Sequence, residues 1–213
     1  FTMILRGTKN MNNSIRLPKT PAGFKTFNMI VEVSKILFSE RGYLSTSINA
    51  IIEKAGIAAG TFYKYFNDKR AVYDYLLNDY SHQIRRKIAS EIRNLSSRYE
   101  KERLGLKAFI KFALEDKLSY RLIWESLFVD KQLFIDYYSN FAKLYIRQLE
   151  KAVSSLEVDP LIDLETLAYV LMGISNFVGL QVVFKDTISE EELDYIVDQA
   201  MYILKNGMFA KPK

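Results

Sequence analysis

Apolar residues recur at three- and four-residue spacing through most of the chain, and no convincing run of strand-like alternation interrupts them. Phe27, Ile30, Val31, Ser34, Leu37 and Phe38 mark a first helix, closed by Arg41-Gly42. Thr46-Ser47 caps a short second helix whose inward positions are Ile48, Ile51, Ile52 and Ala55, and Gly56 ends it. After Gly56-Ile57-Ala58 a third short helix turns Phe62 and Phe66 inward, and Asn67-Asp68 opens a long fourth from Lys69 to about Leu95. Beyond residue 97 the pattern predicts helices over 101–117, 119–130, 131–155, 163–184 and 189–206. The last begins with the capping box Ser189-Glu190-Glu191-Glu192, its acids placed where the helix dipole favours them. It then carries the stripe Leu193, Ile196, Val197, Ala200 and Leu204 as far as Asn206-Gly207. The expected fold class is all-α.

Composition narrows the chemistry. With 49% hydrophobic and 26% charged residues, the 213-residue chain can bury a core, while 4 Pro and 9 Gly are few for an all-β protein. Cys is absent and His82 is the sole imidazole, which removes disulfides, Cys/His zinc sites, a thiol nucleophile and most His-centred catalysis. Carboxylate pairs such as Glu115-Asp116 stand at helix ends with no partnered nucleophile, so no catalytic residue, metal site or cofactor is expected, and the chain is not read as an enzyme. Net charge is +5, unevenly distributed: residues 1–90 hold 14 Lys and Arg against 6 Asp and Glu, whereas 91–213 hold 16 against 19. The basic charge therefore belongs to the N-terminal part and points to a polyanion partner there.

Leu167 to Phe184 is uncharged over 18 residues, at the lower edge of a membrane span. Ser175, Asn176, Gln181 and two glycines within it favour a helix touched by protein on every side. In Phe1–Ser14 the apolar run Met3-Ile4-Leu5 is too short for a signal peptide, and a cytoplasmic location without membrane contact is expected.

Three short helices with a tight turn between the second and third make the helix-turn-helix arrangement of a DNA reader. Small residues at Ala58, Ala59 and Gly60 permit close approach to a duplex, and Thr61, Tyr63, Lys64, Tyr65 and Lys69 offer hydroxyls and ammonium groups to phosphates and base edges. The segment from Ile30 to Val72 resembles the DNA-binding domain of the TetR family of bacterial transcriptional regulators. The resemblance is carried by Leu37 to Tyr43, Thr46-Ser47-Ile48, Ala55-Gly56-Ile57 and Gly60 to Lys69. It implies phosphate contacts from Thr46, Ser47, Thr61, Tyr63, Tyr65 and Lys69, and base reading around Ala58, Ala59, Gly60 and Lys64. Phe38, Phe62 and Phe66 become core. Three departures stand out. Ala58 occupies a position where Ser or Thr commonly caps the recognition helix, and Ser34 and Ile52 replace small alanines of the three-helix core. The basic residues Arg6, Lys9, Arg16, Lys19 and Lys25 form either an arm for the minor groove or a tail without a role.

The same resemblance implies three divisions: an N-terminal extension over 1–22, the helix-turn-helix domain over 23–70, and a ligand-binding and dimerisation domain over 71–210. Trp124, Phe128, Tyr138, Phe141, Met172, Asn176 and Phe177 become candidate walls of a cavity for a small hydrophobic or aromatic effector, with Asn176, Tyr138 or Gln181 as polar anchor. Helices 163–184 and 189–206 become the homodimer contact. The expected function is a ligand-responsive regulator, a repressor released from a palindromic double-stranded DNA operator. The alternative is a helical dimeric binding or scaffold protein without sequence-specific DNA binding.

Overall fold

The computed structural model describes residues 14–185 and 187–208, so Arg6 and Lys9 lie outside the described residues. Among the described residues the chain forms α1 (Pro21–Arg41), α2 (Ile48–Ala55), α3 (Ala59–Tyr63), α4 (Lys69–Ile92), α5 (Arg98–Glu115), α6 (Lys117–Val129), α7 (Lys131–Ser154), α8 (Leu164–Val183) and α9 (Glu190–Asn206). Side-chain caps explain most starts. The side chains of Thr20, Ser47, Asp163 and Ser189 each accept a hydrogen bond from a backbone N–H of the first turn behind them. Asp68 does the same for α4, accepting from the Ala71 N–H at 2.7 Å. The fifth helix begins three residues before its expected start because Ser97 caps it, accepting from Glu100.

The described chain divides into two compact units. One comprises the chain up to His82 together with Leu118–Tyr137; the other comprises Gln83–Lys117 together with the chain from Tyr138. The division points fall within α4, at the start of α6 and within α7.

In the first unit, Phe27, Ile30, Leu37, Phe38, Ile51, Phe62 and Phe66 are fully buried, with the whole apolar stripe expected of α1 turned inward. Phe27 stacks on Phe66 at 4.8 Å between ring centroids and meets Tyr75 edge-on at 4.9 Å. Ser34 is accommodated in this core, fully buried. The front of α4 is bound to α6 and the start of α7. The Tyr73 hydroxyl, buried, donates to the Leu122 carbonyl at 2.6 Å, and Arg70 pairs with Asp130 at 2.6 Å.

In the second unit α5 packs against α8 and α9. Basic residues every four positions on α5 meet acidic residues every four positions on α9. Lys111 pairs with Glu190, Lys107 with Glu190 and Asp194, and Arg103 with Asp194 and Asp198. Rising number on one helix matches falling number on the other, so the two run antiparallel. At the other end of α5, Arg98 and Tyr145 both hydrogen-bond Glu102, and the Arg98 backbone N–H donates to Glu157.

Replacing Tyr73 with Phe removes the buried hydrogen bond that ties α4 to the Leu122 carbonyl of α6. Its expected cost is about 0.5–1.5 kcal/mol, read as a lower midpoint in urea without a change in slope. The ladder gives a pH prediction. Hydrogen bonds from Lys107 and Lys111 hold Glu190 below its ordinary pKa, and those from Lys107 and Arg103 do the same for Asp194. A depressed carboxylate stabilises the fold above the ordinary carboxylate range, and that contribution is lost as pH falls through the depressed values. Melting temperature should therefore fall between about pH 5 and pH 2, less steeply in an Arg103→Ala, Lys107→Ala double variant.

Candidate nucleic-acid interface

α2 ends on Gly56, whose φ of 62° and ψ of 38° place it in the left-handed region that favours glycine. Ile57 and Ala58 then carry the chain into α3, so the second and third helices are joined by a tight turn. No side-chain bond caps α3 at Ala58, as its residue type foretold. α3 continues for a further turn: the Lys64 N–H donates to the Gly60 carbonyl, and those of Tyr65 and Phe66 to Phe62. Phe62 and Phe66 point to the core, and Ala58, Ala59, Gly60, Tyr63 and Lys64 are exposed on the outer side. A Cβ added at Gly60 would meet no neighbouring atom, so the fold itself does not require glycine there. Thr61 is half-buried, and Ser47 is exposed while its hydroxyl caps α2.

Three residues assigned to phosphate contact by resemblance have partners within the unit. Thr46 is only 1% exposed, and its hydroxyl donates to the Gly42 carbonyl at 2.9 Å and the Leu37 carbonyl at 3.2 Å. Tyr65 is 4% exposed, its ring edge-on to Phe27 at 5.7 Å. The Lys69 ammonium donates to the Tyr43 and Thr46 carbonyls at 2.7 and 2.8 Å and lies 4.2 Å from the centroid of the Tyr43 ring. Burial pushes the Lys69 pKa below its ordinary value. These contacts fasten the loop between α1 and α2 to the start of α4. No local signal marks Tyr43 as the partner, since 26 residues separate it from Lys69. Arg16, read as part of a basic arm, donates instead to the Tyr63 carbonyl at 3.1 Å.

The candidate effector residues separate by unit. Trp124 and Phe128 belong to α6 in the first, where Phe128 is 84% exposed. Tyr138, Phe141, Met172, Asn176 and Phe177 belong to the second. There the Tyr138 hydroxyl donates to Asn176 Oδ1 at 3.2 Å, and Asn176 Nδ2 donates to the Met172 carbonyl at 2.7 Å. Those three candidates are thus joined in one polar path. Arg85 lies 5.9 Å from the Phe141 ring centroid, Phe177 is 65% exposed, and Gln181 is exposed. His82 is half-buried.

An all-helical chain whose first unit presents a capped helix-turn-helix with a small-residue outer face defines the class of helix-turn-helix proteins. Within that class, residues 30–76 match the model of the tetR family of bacterial regulatory proteins. The chain is 23% identical over 111 residues to the HTH-type transcriptional activator FasR of Mycolicibacterium smegmatis, a match covering 52% of this chain and 50% of FasR. The chain thus aligns with about half the length of that relative. Its fold is that of a putative TetR-family transcriptional regulator from Syntrophomonas wolfei, with a TM-score of 0.77 and 23% identity, covering 88% of this chain and 98% of that one. It is also that of the transcriptional regulator FadR from Bacillus subtilis in complex with stearoyl-CoA, with a TM-score of 0.71 and 18% identity, covering 86% and 100%.

Lys69→Met removes two hydrogen bonds from a charged donor and a ring contact. It should lower unfolding stability by about 1.5–3 kcal/mol, whereas exposed Lys64→Ala should stay within about 0.5 kcal/mol of the parent. Urea unfolding of the two variants side by side checks the difference.

Proposed function

We propose that the chain is a homodimeric transcriptional repressor that binds a two-fold symmetric operator and releases it on binding a long-chain acyl-CoA. The observation that carries the DNA reading is the outer face of α3, where Ala58, Ala59, Gly60, Tyr63 and Lys64 are exposed over a rigid aromatic floor. Ser47 and Thr61 flank it as phosphate contacts, while Thr46, Tyr65 and Lys69 hold the elements that present it. Two such faces in a dimer would enter successive major grooves roughly 34–36 Å apart. The matched family and the excess of cations in the first ninety residues support the same partner.

The dimer contact is assigned to α8 and α9. Val170 and Phe177 on α8 with Phe184 just beyond its end, and Tyr195 and Tyr202 on α9, are exposed at seven-residue spacing, an apolar seam along each helix. α8 is long and apolar enough to cross a membrane by length and composition alone; a second copy on this face accounts for that composition in a cytoplasmic protein. Phe177 goes to this contact, leaving Tyr138, Phe141, Met172 and Asn176 as effector-facing candidates in the second unit. Stearoyl-CoA in the Bacillus subtilis FadR structure supports an acyl thioester as the effector class. The name of FasR, a transcriptional activator, favours a second reading in which the same DNA complex promotes transcription.

A gel shift on the duplex upstream of the chain's own coding region tests the proposal. Expected is a discrete complex that weakens by orders of magnitude between about 50 and 200 mM salt and dissociates with stearoyl-CoA but not with free CoA. In-vitro transcription from that duplex should fall on adding the protein; a rise selects activation. A flat salt response, or dimerisation without DNA retention, supports the scaffold alternative. Phe177→Glu should convert the dimer to monomer in sedimentation and abolish the complex.

A further inference from the structure

We propose that Arg16 is a positioning residue that sets the pose of the recognition helix and thereby controls sequence discrimination without contacting DNA. The inference rests on the DNA-binding reading above and concerns how that site is held.

α3 spans only five residues, too few to maintain a helix in water by itself. Its amino end has no side-chain cap. Its carboxyl end is closed by residues from far away in sequence. The Arg16 backbone N–H donates to the Tyr65 carbonyl at 2.7 Å, and the Arg16 guanidinium donates through Nη1 to the Tyr63 carbonyl at 3.1 Å. One residue thus bonds two carbonyls at the end of α3, where the helix dipole is negative and a cation is favoured.

The neighbours of Arg16 extend the attachment. Ile15 pairs antiparallel with Phe66, and the Asn67 N–H donates to the Ser14 carbonyl at 3.0 Å. The segment 14–16 is therefore a strap laid along 63–67, and Phe66 beneath it is locked by its stack on Phe27. The core fixes the inward side of α3, while the strap fixes its rotation and tilt at the carboxyl end. Tyr63, whose carbonyl Arg16 holds, and Lys64 beside it are exposed members of the reading face. A small rotation of α3 moves both side chains relative to a groove. Specific contacts, which need alignment, suffer from that rotation; attraction to phosphates, which does not, survives.

The test uses the full chain and two duplexes: one recovered by the wild-type protein from a random-sequence pool, and a scrambled version of it. Affinities for both are measured over a salt series for the wild type, Arg16→Ala and Arg16→Lys. The expected result for Arg16→Ala is a loss of about tenfold or more in affinity for the selected duplex. Affinity for the scrambled one should change by less than about twofold, with an unaltered salt slope. Amide hydrogen exchange should quicken at 64–67 in the same variant, and Arg16→Lys should recover most of the discrimination. Equal weakening on both duplexes with a salt slope lower by about one per site would make Arg16 a phosphate contact and overturn the inference. An unchanged ratio in Arg16→Ala overturns it as well, leaving the DNA-binding reading intact. If the wild type enriches no sequence from the pool, the DNA-binding reading itself fails, and the inference with it.

Discussion

Burial of Phe62 and Phe66 is the constraint on which the outer face of α3 depends. Both rings are fully buried, and Phe66 joins Phe27 and Tyr75 in an aromatic cluster that links α1, the segment after α3, and α4. A five-residue helix gains little from its own hydrogen bonds, because nucleation costs more than one turn returns. Each buried ring contributes about 1.5–3 kcal/mol relative to exposure, enough to make the core rather than helix propensity decide where α3 lies. That leaves the opposite side free to carry small and polar residues with no structural duty.

Around this floor, polar contacts act at the corners. Thr46 holds the turn between α1 and α2 from within, and Lys69 reaches the same loop from the start of α4. Placing an ammonium against two carbonyls and a tyrosine ring offsets part of its lost hydration. The result is an outer face whose supporting side chains are hydrogen-bonded within the unit. Tyr73 and Arg70 then make α6 part of the same body, so the unit is larger than three helices.

Helix positions and core faces were largely legible in the sequence, since a period of 3.6 residues turns one stripe inward whatever the neighbours are. Every position expected to point inward on α1 is buried. The candidate interface was legible only in part. Residue type and spacing identified Ala58 to Lys64, but could not separate a hydroxyl or ammonium facing outward from one bonded within. Thr46 and Lys69 differ from Ser47 and Lys64 only through partners brought close by folding. Arg16 is 47 residues from Tyr63, and nothing local marks the pair. The effector candidates were least legible, because aromatic residues serve a core and a cavity equally well. Among them, Tyr138, Asn176 and Met172 are joined by hydrogen bonds, an arrangement that a core and a cavity wall would share.

The charge ladder between α5 and α9 has a period of four residues on both helices, which gives it the property of a ratchet. Sliding α9 by one turn, about 5.4 Å, would bring Lys111 to Asp194, Lys107 to Asp194 and Asp198, and Arg103 to Asp198 and Tyr202, so every cation would keep an acid and only Glu190 would lose its partners. The apolar side repeats with the same step through Leu193, Val197 and Met201. Neither row alone makes the observed register unique. The pawl is the Lys185–Glu192 pair, together with the six residues that separate α8 from α9. Adjacent registers of α9 are thus set apart mainly by its amino-terminal tether, which also fixes where Tyr195 and Tyr202 stand on the unit's surface.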